Sequence, residues 1–247
     1  MSNVKDQVVI IMGASSGIGE ATARKLAEQG ARLVISARRE DRLKKLKASM
    51  PDASMAYQTA DVTNDEEVQK VIDLAMKEYG RIDAIFNNAG IMPTAPLAES
   101  RKQEWKAMLD INIMGVLNGI SAVLPIMQKQ QSGKIITTSS VAGHVVYPDS
   151  AVYCGTKFAV RAIMEGLRQE ERENNIQSIV ISPGAVDTEL YTSIHHEENR
   201  KWVQQNSANP ELSMKSEDIA DAVAYVVGTP NSVSISEMVI RPTKQPI

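Results

Sequence analysis

The chain has 247 residues, of which 43% are apolar, and it carries 27 basic and 30 acidic side chains for a net charge of −3. This length is sufficient for a large α/β domain, and the ordinary apolar content excludes a disordered chain. The nearly balanced charge shows no excess of basic residues of the kind that binds nucleic acid. The lone cysteine, Cys154, excludes an intrachain disulfide and a cysteine-rich metal site, and it is typical of a reducing compartment.

Targeting and metal-binding signals are missing from the sequence. The N-terminal segment carries Lys5 and Asp6 and lacks the apolar run of a signal peptide. No apolar stretch approaches the roughly 20 residues of a membrane span, and no His, Cys or carboxylate cluster has metal-ligand spacing. We therefore expect a cytoplasmic protein with no membrane, nucleic-acid or metal partner.

Short apolar runs predict seven strands, at residues 8–11, 33–35, 84–86, 135–137, 179–181 and 238–240, with a weaker run at 55–57. The runs are continuous and rich in β-branched residues, which suits strands buried on both faces of a parallel sheet. A helix is predicted between Asn64 and Tyr79, because apolar residues there recur at helical spacing behind a capping residue. These apolar residues are Val68, Val71, Ile72 and Ala75.

Strand and helix alternate along the whole chain. This alternation predicts an α/β fold with a doubly wound parallel sheet of the Rossmann type. The sequence contains no repeat, low-complexity tract or linker, so we expect residues 1–247 to form a single domain. The least regular stretch, residues 187–213, is polar and contains His195 and His196, and we expect it to be a flap over a bound ligand.

A glycine-rich turn follows the first predicted strand. Gly13, Gly17 and Gly19 have the spacing Gly-xxx-Gly-x-Gly ahead of a helix-forming segment, with Ser15, Ser16 and Ile18 between them. Glycines permit a close approach of an anion to the backbone, and the helix N-terminus offers unpaired N–H groups and a favourable dipole. The turn therefore predicts a dinucleotide-binding domain; the alternative is an ordinary glycine-rich connection.

The end of the second strand carries Ala37, Arg38 and Arg39. Folds that bind NAD commonly place an acidic residue here for the ribose 2′-hydroxyl, whereas an arginine accommodates a 2′-phosphate. Guanidinium and phosphate form a strong charge-assisted pair. The missing acid, more than the arginines themselves, favours NADP(H), although a solvated basic start to the next helix is the alternative.

Tyr153 and Lys157 stand four residues apart in a segment, 153–171, that we predict to be helical. Both side chains then lie on one helix face, about one turn apart. A tyrosine pKa near 10 is too high for a base at neutral pH, and we expect the nearby ammonium to favour the phenolate. Reduction of a carbonyl needs the reverse, a phenol that donates its proton.

Ser140 lies thirteen residues upstream of Tyr153, after the strand at 135–137 and thus at the carboxyl edge where open α/β sheets bind ligands. A hydroxyl there is placed to hydrogen-bond a substrate oxygen beside Tyr153, and Ser139 is the competing candidate. A serine hydrolase is disfavoured, because none of the three histidines lies in a nucleophile-elbow motif.

These motifs together resemble the short-chain dehydrogenase/reductase family over essentially the whole chain. The residues that carry the resemblance are Gly13-xxx-Gly17-x-Gly19, Asn87-Asn88-Ala89-Gly90, Asn112, Ser140, Tyr153-xxx-Lys157 and Pro183-Gly184. One departure is Met12, where the family usually has Thr. We expect this change to alter local packing without abolishing cofactor binding.

The resemblance implies the catalytic roles. Tyr153 is the implied general acid or base, Lys157 tunes its pKa and binds the nicotinamide ribose, and Ser140 orients the substrate oxygen. Asn112 is implied to hold a water that links Lys157 to solvent.

The resemblance also implies a cofactor-binding set. Asp61 and Val62 are expected to flank the adenine, Asn88 to lie near the adenosine-side ribose, and Val186 and Thr188 to contact the nicotinamide carboxamide. The full set is Gly13, Ser15, Ser16, Gly17, Ile18, Gly19, Arg38, Arg39, Asp61, Val62, Asn88, Ala89, Gly90, Tyr153, Lys157, Pro183, Gly184, Val186 and Thr188.

The implied function is NADP(H)-dependent interconversion of a ketone or aldehyde with an alcohol, by a homodimer or homotetramer. Segments 36–43 and 239–245 are similar to a bacterial and yeast group that acts on 3-hydroxy acids, serine and related alcohols, and to a clavulanic acid dehydrogenase. Candidate residues for the substrate pocket, from chain proximity alone, are Met92, Pro93, His144, Val145, Tyr147, Leu190 and Tyr191.

Two alternatives remain open. A non-catalytic redox sensor would keep the glycines and arginines but lose Tyr153, Lys157 or Ser140. An epimerase or dehydratase of the same fold would generally be longer and use a different glycine spacing. Cys154, beside the candidate catalytic tyrosine, is predicted to be a buried structural thiol.

Overall fold

A parallel sheet organises the protein. The computed structural model describes residues 4–245, which form seven strands in the order β3-β2-β1-β4-β5-β6-β7. The strands are β1 (Val8–Met12), β2 (Arg32–Ala37), β3 (Met55–Thr59), β4 (Ala84–Asn87), β5 (Gly133–Thr138), β6 (Ile176–Pro183) and β7 (Glu237–Ile240). Each strand contains one predicted run, and the doubly wound Rossmann-type fold is confirmed.

Helices cover both faces of the sheet. One face packs against α1 (Gly17–Glu28), α2 (Glu40–Ala48) and α8 (Ser216–Val227). The other face packs against α3 (Asp65–Tyr79), α5 (Gly115–Gln130) and α6 (Ala151–Glu171). The remaining helices of the described range are α4 (Lys102–Leu109) and α7 (Glu197–Ser207).

Strand side chains enter two hydrophobic cores, one on each side of the sheet. In β1, Ile11 packs on the α1 side and Ile10 on the α3 side, and both are fully buried. Burial of one such side chain contributes about 1.5–3 kcal/mol. Because both faces are covered, the strand sequences are continuously apolar rather than alternating.

Helix α3 has the boundaries and the buried face that its sequence predicts. The Asn64 side chain accepts a hydrogen bond from the Glu67 backbone N–H at 3.1 Å, which caps the helix start. Gly80, with φ at +73°, ends the helix in the left-handed conformation. The four predicted apolar residues, from Val68 to Ala75, are fully buried.

The longest helical segment corrects one expectation. Lys102–Gln130 is long and apolar enough to cross a membrane by length and composition alone, contrary to the expected absence of such a stretch. Its apolar residues Val116, Ile120, Val123 and Met127 are buried in the core on the α3 side of the sheet. Packing against the sheet therefore accounts for this buried part of the apolar helix, whereas Leu109 and Met114 are exposed.

A buried lysine joins β5 to the end of α8. The Lys134 ammonium donates to the carbonyl oxygens of Val226, Val227 and Thr229 at 3.0, 2.7 and 2.6 Å. These carbonyls lie at or just beyond the last turn of the helix, where intrahelical donors run out. Burial lowers the pKa of Lys134 to about 8.

Candidate active site

The carboxyl ends of the strands meet at one edge of the sheet, and the predicted site residues lie along it. Strands β1 and β4 are neighbours near the centre of the sheet. From β1 the chain adds strands towards one edge, and from β4 it adds them towards the other, so the order reverses between these two strands. A crevice outside the strand ends at such a reversal is the usual ligand site of an open α/β sheet. The glycine turn follows β1, Asn88 follows β4, and Ser140 follows β5 by two residues.

The glycine turn is packed too closely to accept side chains. Gly13 has φ at +86°, and a Cβ there would lie 2.7 Å from the Ala89 backbone nitrogen. At Gly19 a Cβ would lie 2.1 Å from the Gly13 carbonyl oxygen, which accepts a hydrogen bond from Asn88 Nδ2 at 3.2 Å. Close approach of backbone to backbone therefore requires these glycines.

The start of α1 fits the pyrophosphate of a dinucleotide. Helix α1 begins at Gly17, and the Ser16 hydroxyl accepts a hydrogen bond from Arg39 instead of capping the helix. The first-turn N–H groups thus face the turn as donors for an anion, with the positive end of the helix dipole behind them. A phosphorylated dinucleotide therefore fits this site, which combines the glycine turn, the helix N-terminus and the adjacent arginines.

The arginines after β2 are held at the glycine turn. Arg39 donates from Nε and Nη2 to the Ser15 hydroxyl at 3.1 and 2.9 Å, and from Nη2 to the Ser16 hydroxyl at 2.7 Å. Arg38 is more exposed, with Nη1 3.9 Å from an Asp61 carboxylate oxygen. The sequence had singled out Arg38 and Arg39, but not Arg42, which shares the carboxylate of Glu189 with Arg39.

Tyr153, Lys157 and Ser140 converge at the strand edge. Tyr153 and Lys157 lie one turn apart on the buried face of α6, with the Lys157 ammonium 5.7 Å from the centre of the tyrosine ring. The Ser140 hydroxyl is near enough to that of Tyr153 to act on its ionisation, in the direction that lowers the tyrosine pKa. Lys157 also donates to the Thr138 carbonyl oxygen, at 2.9 Å, which fixes the amine against the end of β5.

Burial controls the ionisation of this pair. It raises the pKa of Tyr153 to about 12, against the lowering effect of the nearby Ser140 hydroxyl, and it lowers the pKa of Lys157 to about 8. The expected lowering of the tyrosine pKa by the ammonium is thus not observed in this structure. Removing both side chains from water disfavours the phenolate and the ammonium alike.

The two candidate serines face different partners. Ser139 is buried, and its hydroxyl donates to the Lys157 carbonyl oxygen at 3.1 Å, on the helix side of the strand end. Ser140 accepts from the Ala142 backbone N–H at 3.1 Å and begins the 3-10 turn Val141–Gly143. The Ser140 hydroxyl also donates to the Pro183 carbonyl oxygen at 3.4 Å, and of these two serines it is the one that acts on the pKa of Tyr153.

Asn112 is fully buried in a π-helical turn, Asp110–Met114, between α4 and α5. Its side chain pairs with both backbone groups of Ile91, at 2.9 Å each, and donates to the Thr156 hydroxyl at 3.2 Å. A π-turn in an α-helix frequently marks a functional position. Asn112 Oδ1 and Lys157 Nζ both lie within 4 Å of the Cβ position at Gly90, so the segment at 88–90 meets the lysine here.

The other predicted cofactor residues border the same edge. Asp61 accepts from the Thr63 backbone and hydroxyl, and Val62 packs against Gly115. Pro183 ends β6, and Gly184 donates to the Ile240 carbonyl oxygen at 2.7 Å. Val186 pairs with Met214, while the Thr188 methyl group lies 3.0 Å from the Cβ position at Gly17.

The segment at 187–213 is more regular than its sequence suggests. It contains a 3-10 turn, Glu189–Ser193, and helix α7. Its two histidines pair with acidic residues near α4: His195 with Glu104 at 3.0 Å and His196 with Glu99 at 3.2 Å. His196 also caps α7 by accepting from the Asn199 backbone N–H. Both histidines thus fasten this segment to its neighbours.

Among the candidate pocket residues, most are half-buried and Pro93 is buried. The segment at 187–213 contacts this group, since the Met92 backbone N–H donates to the Ser193 hydroxyl at 2.9 Å. His144 is turned to Glu237 in β7, at 2.8 Å. Glu237 also accepts from Ser182 at 2.7 Å and from Arg161, whose Nη1 reaches the Gly143 carbonyl oxygen. No sequence signal predicts this network, because its members come from four separate segments.

Comparisons with known proteins identify the family of this chain. The model of the short chain dehydrogenase family matches residues 7–199. The chain is 50% identical to an uncharacterized oxidoreductase of Staphylococcus saprophyticus over 247 residues, covering 99% of each chain. The closed form of serine dehydrogenase complexed with NADP+ is similar at a TM-score of 0.90 and 28% identity, over 98% of this chain and 97% of that one. A short-chain dehydrogenase/reductase from Burkholderia phymatum in complex with NAD has a TM-score of 0.88 and 25% identity, over 97% and 90%.

The chain therefore belongs to the short-chain dehydrogenase/reductase family. It is an oxidoreductase of that family. Family members act on small molecules and are generally oligomeric.

Proposed function

We propose that the protein is an NADP(H)-dependent oxidoreductase that interconverts a ketone or aldehyde with an alcohol, with Tyr153 as the general acid or base. The observation that carries the proposal is the convergence of the Tyr153 hydroxyl, the Ser140 hydroxyl and the Lys157 ammonium at the strand edge beside the glycine turn. The cofactor, when bound, supplies or accepts the hydride.

The raised pKa of Tyr153 suits the reduction direction. With a pKa of about 12, the phenol holds its proton at neutral pH and is ready to donate it to a carbonyl oxygen. Ser140 supplies a second hydrogen bond to the same oxygen, which stabilises the negative charge that develops there. Oxidation of an alcohol uses the same residues in reverse, with the phenolate as base.

Lys157 supports the phenolate once it forms. Its ammonium lies within one helix turn of the ring, and an opposite charge in a buried site stabilises the phenolate strongly. Its pKa of about 8 also allows the amine to exchange a proton near neutral pH. Asn112 is hydrogen-bonded to Ile91 and Thr156 and thereby keeps the segment at 88–90 against Lys157. A proton relay from Lys157 to solvent would pass through this region.

Matched serine substitutions test the site. Ser140→Ala is expected to lower kcat about 10²-fold, the usual loss for one donor to a developing oxyanion. Ser139→Ala, which removes a neighbouring hydroxyl bonded to a backbone carbonyl, is expected to change kcat by less than about threefold.

Tyr153→Phe should abolish turnover while NADPH binding, followed by fluorescence titration, is retained. Near-normal turnover of Tyr153→Phe would refute the assignment.

The absorbance of the reduced nicotinamide during turnover separates the alternatives. A redox sensor would bind NADPH but show no loss of reduced-nicotinamide absorbance with any carbonyl compound. An epimerase or dehydratase would convert its substrate with no net change in that absorbance. The proposed reductase consumes one reduced cofactor per carbonyl group reduced.

The preference for NADP(H) rests on Arg38 and Arg39 and on Ala37 at the position of the usual acid. Replacing both arginines with glutamine is expected to raise KM for NADPH at least tenfold more than KM for NADH, since two charge-assisted contacts to a phosphate are lost. Equal effects on both cofactors would contradict the preference.

The substrate class we propose is a small polar carbonyl or alcohol, such as a 3-hydroxy acid or serine. The similarity to serine dehydrogenase and the mixed polar and apolar candidate pocket support this class. A panel of β-keto esters, 3-hydroxy acids and serine, each tested with both cofactors, identifies the substrate. We further propose a cytoplasmic homodimer or homotetramer whose single catalytic domain carries a substrate flap at 187–213.

A further inference from the structure

A carboxylate from the flap forms ion pairs with Arg39 and Arg42, at the start of α2. Glu189 Oε2 accepts from Arg42 Nη1 at 2.6 Å and from Arg39 Nη1 at 3.0 Å. Glu189 lies about 150 positions from both arginines in the sequence. Arg42 lies in α2, Arg39 is the N-terminal cap of that helix, and Glu189 is the first residue of the flap's 3-10 turn. The adjacent arginines hold the pKa of Glu189 below its usual value, so the carboxylate is charged at neutral pH.

The donors of Arg39 are already shared among three partners. Nε and Nη2 bond the hydroxyls of Ser15 and Ser16, which leaves Nη1 as the nitrogen that points to Glu189. A 2′-phosphate that binds Arg39 through a charge-assisted fork needs donors from this same guanidinium. A dianionic phosphate beside the Glu189 carboxylate would also bring like charges together, which is unfavourable.

The chain around Glu189 links this contact to the flap. The preceding residue, Thr188, rests on the glycine turn at Gly17 and begins the 3-10 turn by accepting from the Leu190 backbone N–H. Ser193, at the end of that turn, bonds the Met92 backbone over the candidate substrate site. The ion pair with Arg39 and Arg42 therefore fixes the start of the flap against the cofactor side of the crevice.

We propose that Glu189 is a specificity-determining residue that competes with the cofactor 2′-phosphate for Arg39 and Arg42, so that phosphate binding releases the start of the flap. This inference rests on the proposed use of NADP(H). When no phosphate is bound, the Glu189 carboxylate pairs with these arginines instead. It therefore lowers the affinity for NADPH and leaves the affinity for NADH unchanged. A cofactor lacking the 2′-phosphate leaves the ion pair, and the flap, in place.

Equilibrium binding of two adenosine monophosphates tests the competition. Adenosine 2′-monophosphate carries the recognised phosphate, adenosine 5′-monophosphate has the same charge without it, and neither contains a nicotinamide that contacts the flap directly. Calorimetry on Glu189→Gln is expected to show about fivefold tighter binding of the 2′-monophosphate, with the 5′-monophosphate changed less than twofold. The gain is modest because the ion pair is about half exposed.

Glu198→Gln is the matched control. It removes the same charge from an exposed position in the first turn of α7, also within the flap, and is expected to bind both nucleotides as the unaltered protein does. If Glu189→Gln binds the 2′-monophosphate equally well or more weakly than the unaltered protein, or if Glu198→Gln gains as much, the competition is refuted.

Limited proteolysis of the unaltered protein tests release of the flap without any substitution. Trypsin cleavage after Arg200 or Lys201 in α7 is expected to accelerate at least threefold with saturating 2′-monophosphate and not with the 5′-monophosphate. Equal or slower cleavage with the 2′-monophosphate overturns the release. If the unaltered protein prefers neither nucleotide, the NADP(H) assignment and this inference both fail; if it prefers the 2′-monophosphate and Glu189→Gln gains nothing, only this inference fails.

Discussion

Asn112→Ala gives the sharpest test of how the site is built. The substitution removes three side-chain hydrogen bonds from a fully buried position, two to the Ile91 backbone and one to the Thr156 hydroxyl. Each bond contributes about 1 kcal/mol net, and partners left without one cost more when buried, so we expect a loss of about 3 kcal/mol in the free energy of unfolding. The segment at 88–90 also loses its anchor, and kcat should fall with it.

The control for this substitution lies six residues further along. Asn118→Ala removes one hydrogen bond, from Nδ2 to the Val62 carbonyl oxygen at 2.8 Å, and should cost about 1 kcal/mol. Urea unfolding of both variants at one protein concentration gives the comparison, since subunit association adds a concentration-dependent term to stability. If Asn112→Ala is no less stable than Asn118→Ala, the buried side chain does not hold the segment as we argue.

Three further predictions concern stability. Glu237→Gln weakens bonds to His144, Ser182 and Arg161 and should cost about 2 kcal/mol in urea unfolding, whereas Glu173→Gln, at an exposed site, should cost less than about 0.5 kcal/mol. Lys134→Met leaves the carbonyls at the end of α8 without their donor and should lower stability by about 2 kcal/mol at pH 7; an unchanged melting curve would count against that role. The folded protein releases the Lys157 proton near pH 8 and the unfolded chain near 10.5, so this group makes stability rise between these pH values, by up to about 3 kcal/mol. Lys157→Met lacks that gain, and an equal pH dependence of both proteins between pH 7.5 and 9.5 would contradict it.

Local sequence patterns predicted most of the fold. All seven strands and helix α3 were predictable, because β-branched runs buried on both faces and apolar residues at helical spacing are local signals. The flap was predicted less well. Its helix α7 is short and largely exposed, so its sequence has no apolar stripe of the kind that marks a core-facing helix.

The site was predictable only where its residues lie in motifs. The family resemblance is confirmed, whereas the cofactor and the roles of Ser140, Tyr153, Lys157 and Asn112 remain predictions. The sequence favoured Ser140 over Ser139 through the family resemblance, and the different contacts of the two hydroxyls became visible only in the structure. The raised pKa of Tyr153 also needed the structure, because it depends on how deeply the fold buries the phenol.

The sequence by itself determined the element order, the glycine turn that a dinucleotide needs, and the residue types of a hydride-transfer site, since each depends on neighbours a few positions apart. The tertiary structure alone decided which distant charges meet. The pairing of Glu189 with Arg39 and Arg42, and of Glu237 with His144 and Arg161, joins segments tens to about 150 residues apart. Such contacts depend on which strand ends and helices the sheet order brings together, and no local spacing encodes that order.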